Sequence, residues 1–115
     1  MTVTIYHNPR CSKSRQTLAL LQERGLDPTV VEYLNTPPTA ETLQGILVQL
    51  GIAPRNLMRT KEDAYRAAHL DNAALSDEDL VNAMVNNPVL IERPIVIANG
   101  KAAIGRPPEN VLSIL

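Results

Sequence analysis

The chain has no tryptophan and no phenylalanine, and its aromatic complement is three tyrosines. So few flat side chains cannot build a surface that stacks bases, and a formal net charge of -1 provides no field for a polyanion. No nucleic-acid partner is expected. Cysteine occurs once, so no internal disulfide can form, which suits a reducing cytoplasm. That cysteine and two well-separated histidines, His7 and His69, match none of the usual ligand spacings, and no metal is expected. No apolar run approaches the ~20 residues of a membrane span. The opening MTVTIYHNP lacks the basic and apolar regions of a signal peptide. The expectation is a cytoplasmic protein, monomeric and without membrane contact.

What is present is an ordinary globular balance. With 44% apolar and 20% charged residues over 115 positions, the chain can bury a core and should form one domain, residues 1–115. TVTIY alternates β-branched residues as a strand does, and HNPRCSKS is a loop of Asn, Pro and Ser. SRQTLALLQERG follows with helical spacing of Leu18, Leu20 and Leu21, and Gly25 is placed to end it. PTVVEYL is a second β-branched run. Strand, helix and strand in about thirty residues predict a βαβ unit.

Pro37-Pro38 opens a different stretch, a helical insertion at about 39–87. TAETLQGILVQLG spaces Leu43, Ile46, Leu47 and Leu50 as a helix does and closes on Gly51, although Gly45 inside it costs about 1 kcal/mol relative to Ala. NLMRTKEDAYRAAHL predicts one or two short helices, with His69 a partly buried helical residue. In LSDEDLVNAMVNNP, Ser76 and Asp79 form a capping box, Leu75 can staple onto Leu80, and Asn86-Asn87-Pro88 stops the helix. RPIVIA, the hairpin dipeptide Asn99-Gly100 and KAAI then predict two antiparallel strands. PPENVLSIL starts as a short terminal helix would. The resulting order is βαβ, three or so helices, then ββα.

The single thiol sits in IYHNPRCSKSRQTL, which holds three basic residues and no acid in a chain that is slightly acidic overall. Cys11 joins a strand's end to a helix's start, where unpaired backbone N–H groups and the helix dipole favour negative charge. The thiolate, the nucleophilic form, is favoured there, and Arg10, Lys13 and Arg15 push the same way while Ser12 and Ser14 add hydroxyl donors. A lone cysteine is more often a small buried hydrophobe. The polar, basic flanks leave that alternative and a catalytic thiol both open.

The loop closely resembles the N-terminal signature of the ArsC family, the glutaredoxin- and glutathione-dependent arsenate reductases: a strand, His-Asn-Pro-x-Cys-x-x-Ser-Arg, then a helix. The resemblance continues through VVEYLNTPPTAETL, LMRTKE, MVNNPVLIERPIVI and IGRPPENVLSIL, in order over essentially the whole chain. It is nearest to the YfgD-like branch of the ArsC/Spx superfamily. It implies an α/β thioredoxin-like fold with a mixed four-stranded sheet. Cys11 falls on the family's nucleophile, Arg59, Arg93 and Arg106 on its three oxyanion-binding arginines, and His7, Asn8, Ser14 and Arg15 on the supporting loop. Pro94 falls on the thioredoxin-fold proline that follows a cis peptide. Guanidinium suits the task because it stays charged and donates in a planar fork to a tetrahedral oxyanion.

The implied function is an arsenate reductase-like thiol oxidoreductase. Cys11 attacks arsenate, glutathione adds as co-substrate, glutaredoxin removes it, and arsenite leaves; no cofactor is bound. With one cysteine, the reducing thiol must come from outside. Arg10 departs from the small residue that precedes the cysteine in the better-known arsenate reductases, and the pair Ser12-Lys13 stands where they have two small uncharged residues, which bears on the substrate and not on the thiol. Two alternatives stay open. A glutathione-linked thiol redox enzyme with another substrate leaves the three arginines unexplained. An Spx-like regulator that binds RNA polymerase typically has a Cys-x-x-Cys switch where this chain has Cys11 and Ser14. A low-molecular-weight phosphatase loop is excluded, since Cys-x5-Arg would need arginine where Thr17 stands.

Overall fold

Alternation of small β-branched residues makes Val3–His7 (β1) a strand that is buried on every second residue, with Ile5 fully inaccessible. The computed structural model describes residues 2–115. β1 pairs in parallel with Thr29–Glu32 (β2), so that His7 lies opposite Glu32. On its other side it pairs antiparallel with Ile95–Ala98 (β3), which turns through Asn99-Gly100 into Lys101–Ile104 (β4). Both turn residues have positive φ, 55° and 72°, the backbone that a two-residue hairpin demands and that Asn-Gly tolerates. The sheet order is β2-β1-β3-β4, mixed and four-stranded.

The helix joining β1 to β2 is Ser12–Glu23 (α1), ended by Gly25 at φ 77°. Its fully buried residues are Ser14, Thr17 and Leu21, whereas Leu18 and Leu20 are only partly covered. Val3, Ile5, Leu21, Val96, Ala98, Val111 and Ile114 form the core around this sheet. The C-terminal segment Pro108–Ile114 supplies the last two of these and is a 3-10 helix rather than an α-helix.

By contacts the chain forms two compact units: one from the segments ending at Thr36 and beginning at Arg93, the other from Pro37–Glu92, a few residues wider at each end than the expected insertion. The second unit contains Ala40–Leu50 (α2), Pro54–Leu57 (α3), Asp63–Ala67 (α4) and Asp77–Asn86 (α5). α5 packs on α2 and α3 through Leu80, Val81 and Met84, and its start carries the full capping box of Ser76 and Asp79. Gly51 closes α2 at φ 69°. His69 departs from expectation. It is exposed, at φ 54°, in the turn just past α4, because α4 ends after five residues. No helix among the described residues is long and apolar enough to cross a membrane.

Candidate active site

The loop from β1 to α1 is held by its own side chains. Asn8 Oδ1 accepts the Arg10 N–H at 3.0 Å, and the Cys11 N–H donates to the Asn8 carbonyl at 3.0 Å, which folds residues 8–11 into a turn. Arg15 Nη1 donates to the Pro9 carbonyl at 2.9 Å, so one of the loop's basic residues serves as a brace. Ser14 is buried; its Oγ accepts the Asn8 N–H at 3.0 Å and lies 2.6 Å from His7 Nδ1. Burial lowers the His7 pKa, Glu32 opposes this and Arg15 reinforces it, with a net downward shift. The Ser14 hydroxyl, which accepts the Asn8 N–H, can donate to His7 Nδ1 in the neutral tautomer protonated on Nε2, which would complete a chain from Asn8 through Ser14 to His7.

Cys11 is the N-cap residue of α1 and is partly exposed, with its sulfur at the N–H groups of the helix's first turn. Burial raises the thiol pKa, but the backbone N–H groups of Ser14 and Lys13 and the Arg93 guanidinium, by hydrogen bond and by charge, outweigh it, and the net shift is downward. Arg106 Nη1 is 3.8 Å from Cys11 Sγ and donates to the Arg93 carbonyl at 3.3 Å. Two guanidiniums therefore converge on one sulfur at a helix start, a place where an anion is stabilised whether it is the thiolate or a ligand.

The sign of that shift sets a pH test. Iodoacetamide alkylation of Cys11 is expected to be half-maximal clearly below pH 8.5, the ordinary thiol value of about 8.5 being the reference. A depressed thiol pKa also stabilises the fold above the unfolded value, and this contribution fades as pH falls through the folded value. An alkylation profile centred on the ordinary value would show that the cradle does not hold a thiolate.

Arg93 and Arg106 each precede a proline, and both Arg93–Pro94 and Arg106–Pro107 peptides are cis. Arg59 lies in the other unit, where Glu62 and Glu92 each accept from its guanidinium at 3.0 Å. Cys11, Arg93 and Arg106 are thus brought together, as are His7, Asn8, Ser14 and Arg15, and Arg59 is seen held by two carboxylates. Among the described residues no group of His, Cys, Asp and Glu could hold a metal ion.

Two positioning residues carried no obvious signal. Thr17, fully buried in α1, donates to the Lys13 carbonyl at 2.8 Å and lies 3.4 Å from the Gly105 carbonyl. Gly105 sits against it: a Cβ there would be 2.5 Å from Thr17 Oγ1 and 2.8 Å from Pro94 Cγ. The absence of a side chain at 105 lets the Arg106 segment lie on α1 and on the Arg93-Pro94 segment, and the Gly105 N–H donates to the Pro94 carbonyl at 2.9 Å. Only the spacing 14, 17 and 21 hinted that α1 turns its polar residues inward. Gly105→Ala is expected to lower stability by about 1–3 kcal/mol through overpacking, read as a lower urea midpoint. An unchanged midpoint would mean that the segment can move away from α1 without cost.

Comparison with known proteins adds a family. The sequence model described as "ArsC family" matches residues 6–114. A protein of Escherichia coli K12 named uncharacterized protein YfgD is 60% identical over 114 residues, 98% of this chain and 96% of its own. An arsenate reductase of Neisseria meningitidis serogroup A is 52% identical, covering 98% of this chain and 97% of that one. The solved structure of an arsenate reductase from Vibrio cholerae superposes with a TM-score of 0.98 at 53% identity, over 100% of this chain and 98% of that one.

Proposed function

Since the chain belongs to the ArsC family, with its thioredoxin-like fold, we propose that it reduces arsenate to arsenite, with Cys11 as nucleophile and external thiols as the reductant. The observation that carries this is the convergence of Arg93 and Arg106 on a sulfur whose pKa is lowered. An oxyanion brought to the two guanidiniums meets the thiolate they already hold.

The cycle balances as follows. The Cys11 thiolate forms an S–As bond while a protonated arsenate oxygen leaves as water. Glutathione's thiol displaces a second arsenic-bound hydroxyl as water and forms a second As–S bond. A glutaredoxin thiolate attacks the glutathione sulfur, giving a mixed disulfide, and the electron pair of the broken As–S bond stays on arsenic, which passes from As(V) to As(III). Water then releases arsenite from Cys11 and restores the thiol. The two electrons come from glutathione and glutaredoxin together, because a chain with one cysteine cannot form the disulfide itself. Such chemistry belongs in a reducing compartment, the cytoplasm.

Arg93 and Arg106 neutralise charge on the arsenate oxygens during attack. Arg59 is assigned to the same oxyanion from the family pattern, and Glu62 and Glu92 would then yield part of its guanidinium. Asn8, Ser14 and His7 hold the loop, and Arg15 braces it. The test is NADPH oxidation coupled through glutathione reductase, glutathione and glutaredoxin. Arsenate-dependent turnover is expected; its absence with every coupling component active would remove arsenate as the substrate.

A further inference from the structure

We infer that the cleft at the C-terminal ends of β1 and β2 seats the amino-acid end of the thiol co-substrate, a peptide thiol bearing one ammonium and one carboxylate on the same carbon. This rests on Cys11 acting in a thiol-resolved reaction, as proposed above. The cleft has a volume of about 310 Å³ and is lined by the loop residues His7 to Arg10 and by Glu32, Leu34 and Asn35. Its place is the one where open α/β sheets bind ligands, outside the carboxyl ends of parallel strands. Its size lies at the small end of the range for ligand sites, about 300–1,000 Å³. That suits an amino-acid-sized group, and no Phe, Tyr or Trp lines it.

Charge defines the ligand further. Arg10 and Glu32 are both exposed and line the same cleft, yet they make no ion pair with each other. Two opposite charges that line one small cleft without pairing match a ligand that carries both. The Arg10 guanidinium takes the carboxylate and Glu32 takes the ammonium. An inorganic oxyanion would meet Glu32 as a like charge, so the cleft is not a second arsenate site. A metal ion would find a single carboxylate, Glu32, beside the Arg10 cation. Leu34, 41% exposed, offers an apolar wall, and the Asn8 and Asn35 amides can pair with peptide groups.

Proximity joins this cleft to the chemistry. Arg10 immediately precedes Cys11, and its backbone is fixed by the Asn8 side chain. A thiol anchored on Arg10 is tethered one residue from the nucleophile. Arg10 then has a task distinct from oxyanion binding.

The test uses S-methylglutathione, whose capped sulfur binds without reacting, titrated into the ¹⁵N-labelled chain. Shifts are expected to concentrate at Asn8, Arg10, Leu34 and Asn35. Glu32→Gln and Arg10→Ala should each weaken binding about tenfold, the loss of one charge-assisted hydrogen bond. Acetylating the ligand's ammonium should cost the parent chain about the same factor and Glu32→Gln nothing more. The spectrum itself reports that each variant is folded. Shifts confined to the surroundings of Arg93 and Arg106, an affinity indifferent to Glu32→Gln, or no binding at millimolar ligand would each overturn the inference. Failure of the reductase proposal looks different: cleft binding with this charge dependence in a protein that turns over no arsenate.

Discussion

Cys11→Ser is expected to fold as the parent does and to show no arsenate-dependent turnover, a loss of at least about 10³-fold in the coupled assay, the scale on which removing a nucleophile acts. Folding is not at issue, because residue 11 is the N-cap of α1 in extended backbone. Serine is among the preferred residues at that position, and its hydroxyl can accept the same first-turn N–H groups that the sulfur accepts. Thermal stability is therefore expected to be kept while activity is lost. The chemistry fails because the backbone N–H groups of Lys13 and Ser14 and the Arg93 guanidinium favour an anion without abstracting a proton. They suffice for a thiol, whose ordinary pKa of about 8.5 lies far below that of an alcohol, and not for a hydroxyl, which needs an adjacent base. His7 Nδ1, the nearest such group in the loop, is engaged with Ser14. Residual arsenate-dependent turnover within tenfold of the parent would exclude Cys11 as the nucleophile.

The sequence made the scaffold legible wherever one local rule decided the outcome. Ser76 with Asp79, Gly51, Gly25 and Asn99-Gly100 each mark an element's end through a backbone requirement that few residues meet, and each marks it in the structure. Leucine spacing was less informative in α1. Leu18 and Leu20 are only partly covered, because the helix buries Ser14 and Thr17 to support the loop and the Arg106 segment. A hydroxyl that finds its partners within the same fold is buried as readily as an alkyl group, and hydrophobic periodicity cannot see this. β2 misleads in the opposite sense: its β-branched residues sit on the sheet's edge, with Val30 44% exposed.

At the site, the reactive thiol was legible from a helix start enriched in positive charge, a local property. The convergence of Arg93 and Arg106 on it was not. Those residues lie more than eighty positions downstream, and their approach depends on Gly105 having no side chain where α1 passes. Motif resemblance identified them, whereas spacing could not. Arg59 shows the same limit from the other direction, since nothing local announces that Glu92, 33 residues away, shares its guanidinium.

Arg93→Ala separates the two uses of the positive charge at Cys11. The guanidinium bonds to the thiolate and adds its charge, so its removal leaves burial to raise the thiol pKa against the backbone N–H groups and the more distant Arg106. The alkylation midpoint is expected to move up in pH, because a neighbouring opposite charge that favours the thiolate is lost. The Arg106 hydrogen bond survives the substitution because it is made to the backbone carbonyl of residue 93. The second effect falls on the substrate. Loss of one charge-assisted fork to an oxyanion, added to a smaller thiolate fraction at neutral pH, lowers kcat/KM for arsenate by about 10²-fold. The rise in melting temperature that arsenate or sulfate gives the parent by binding the native state should largely vanish. Arg93→Lys distinguishes the contributions: a lysine keeps the charge, and with it much of the thiol's acidity, but not the planar two-point grip on a tetrahedral anion. It should recover most of the alkylation shift and little of the arsenate affinity. If Arg93→Ala keeps the parent's full thermal response to arsenate, Arg93 serves the thiolate alone, and the oxyanion must be bound by other groups.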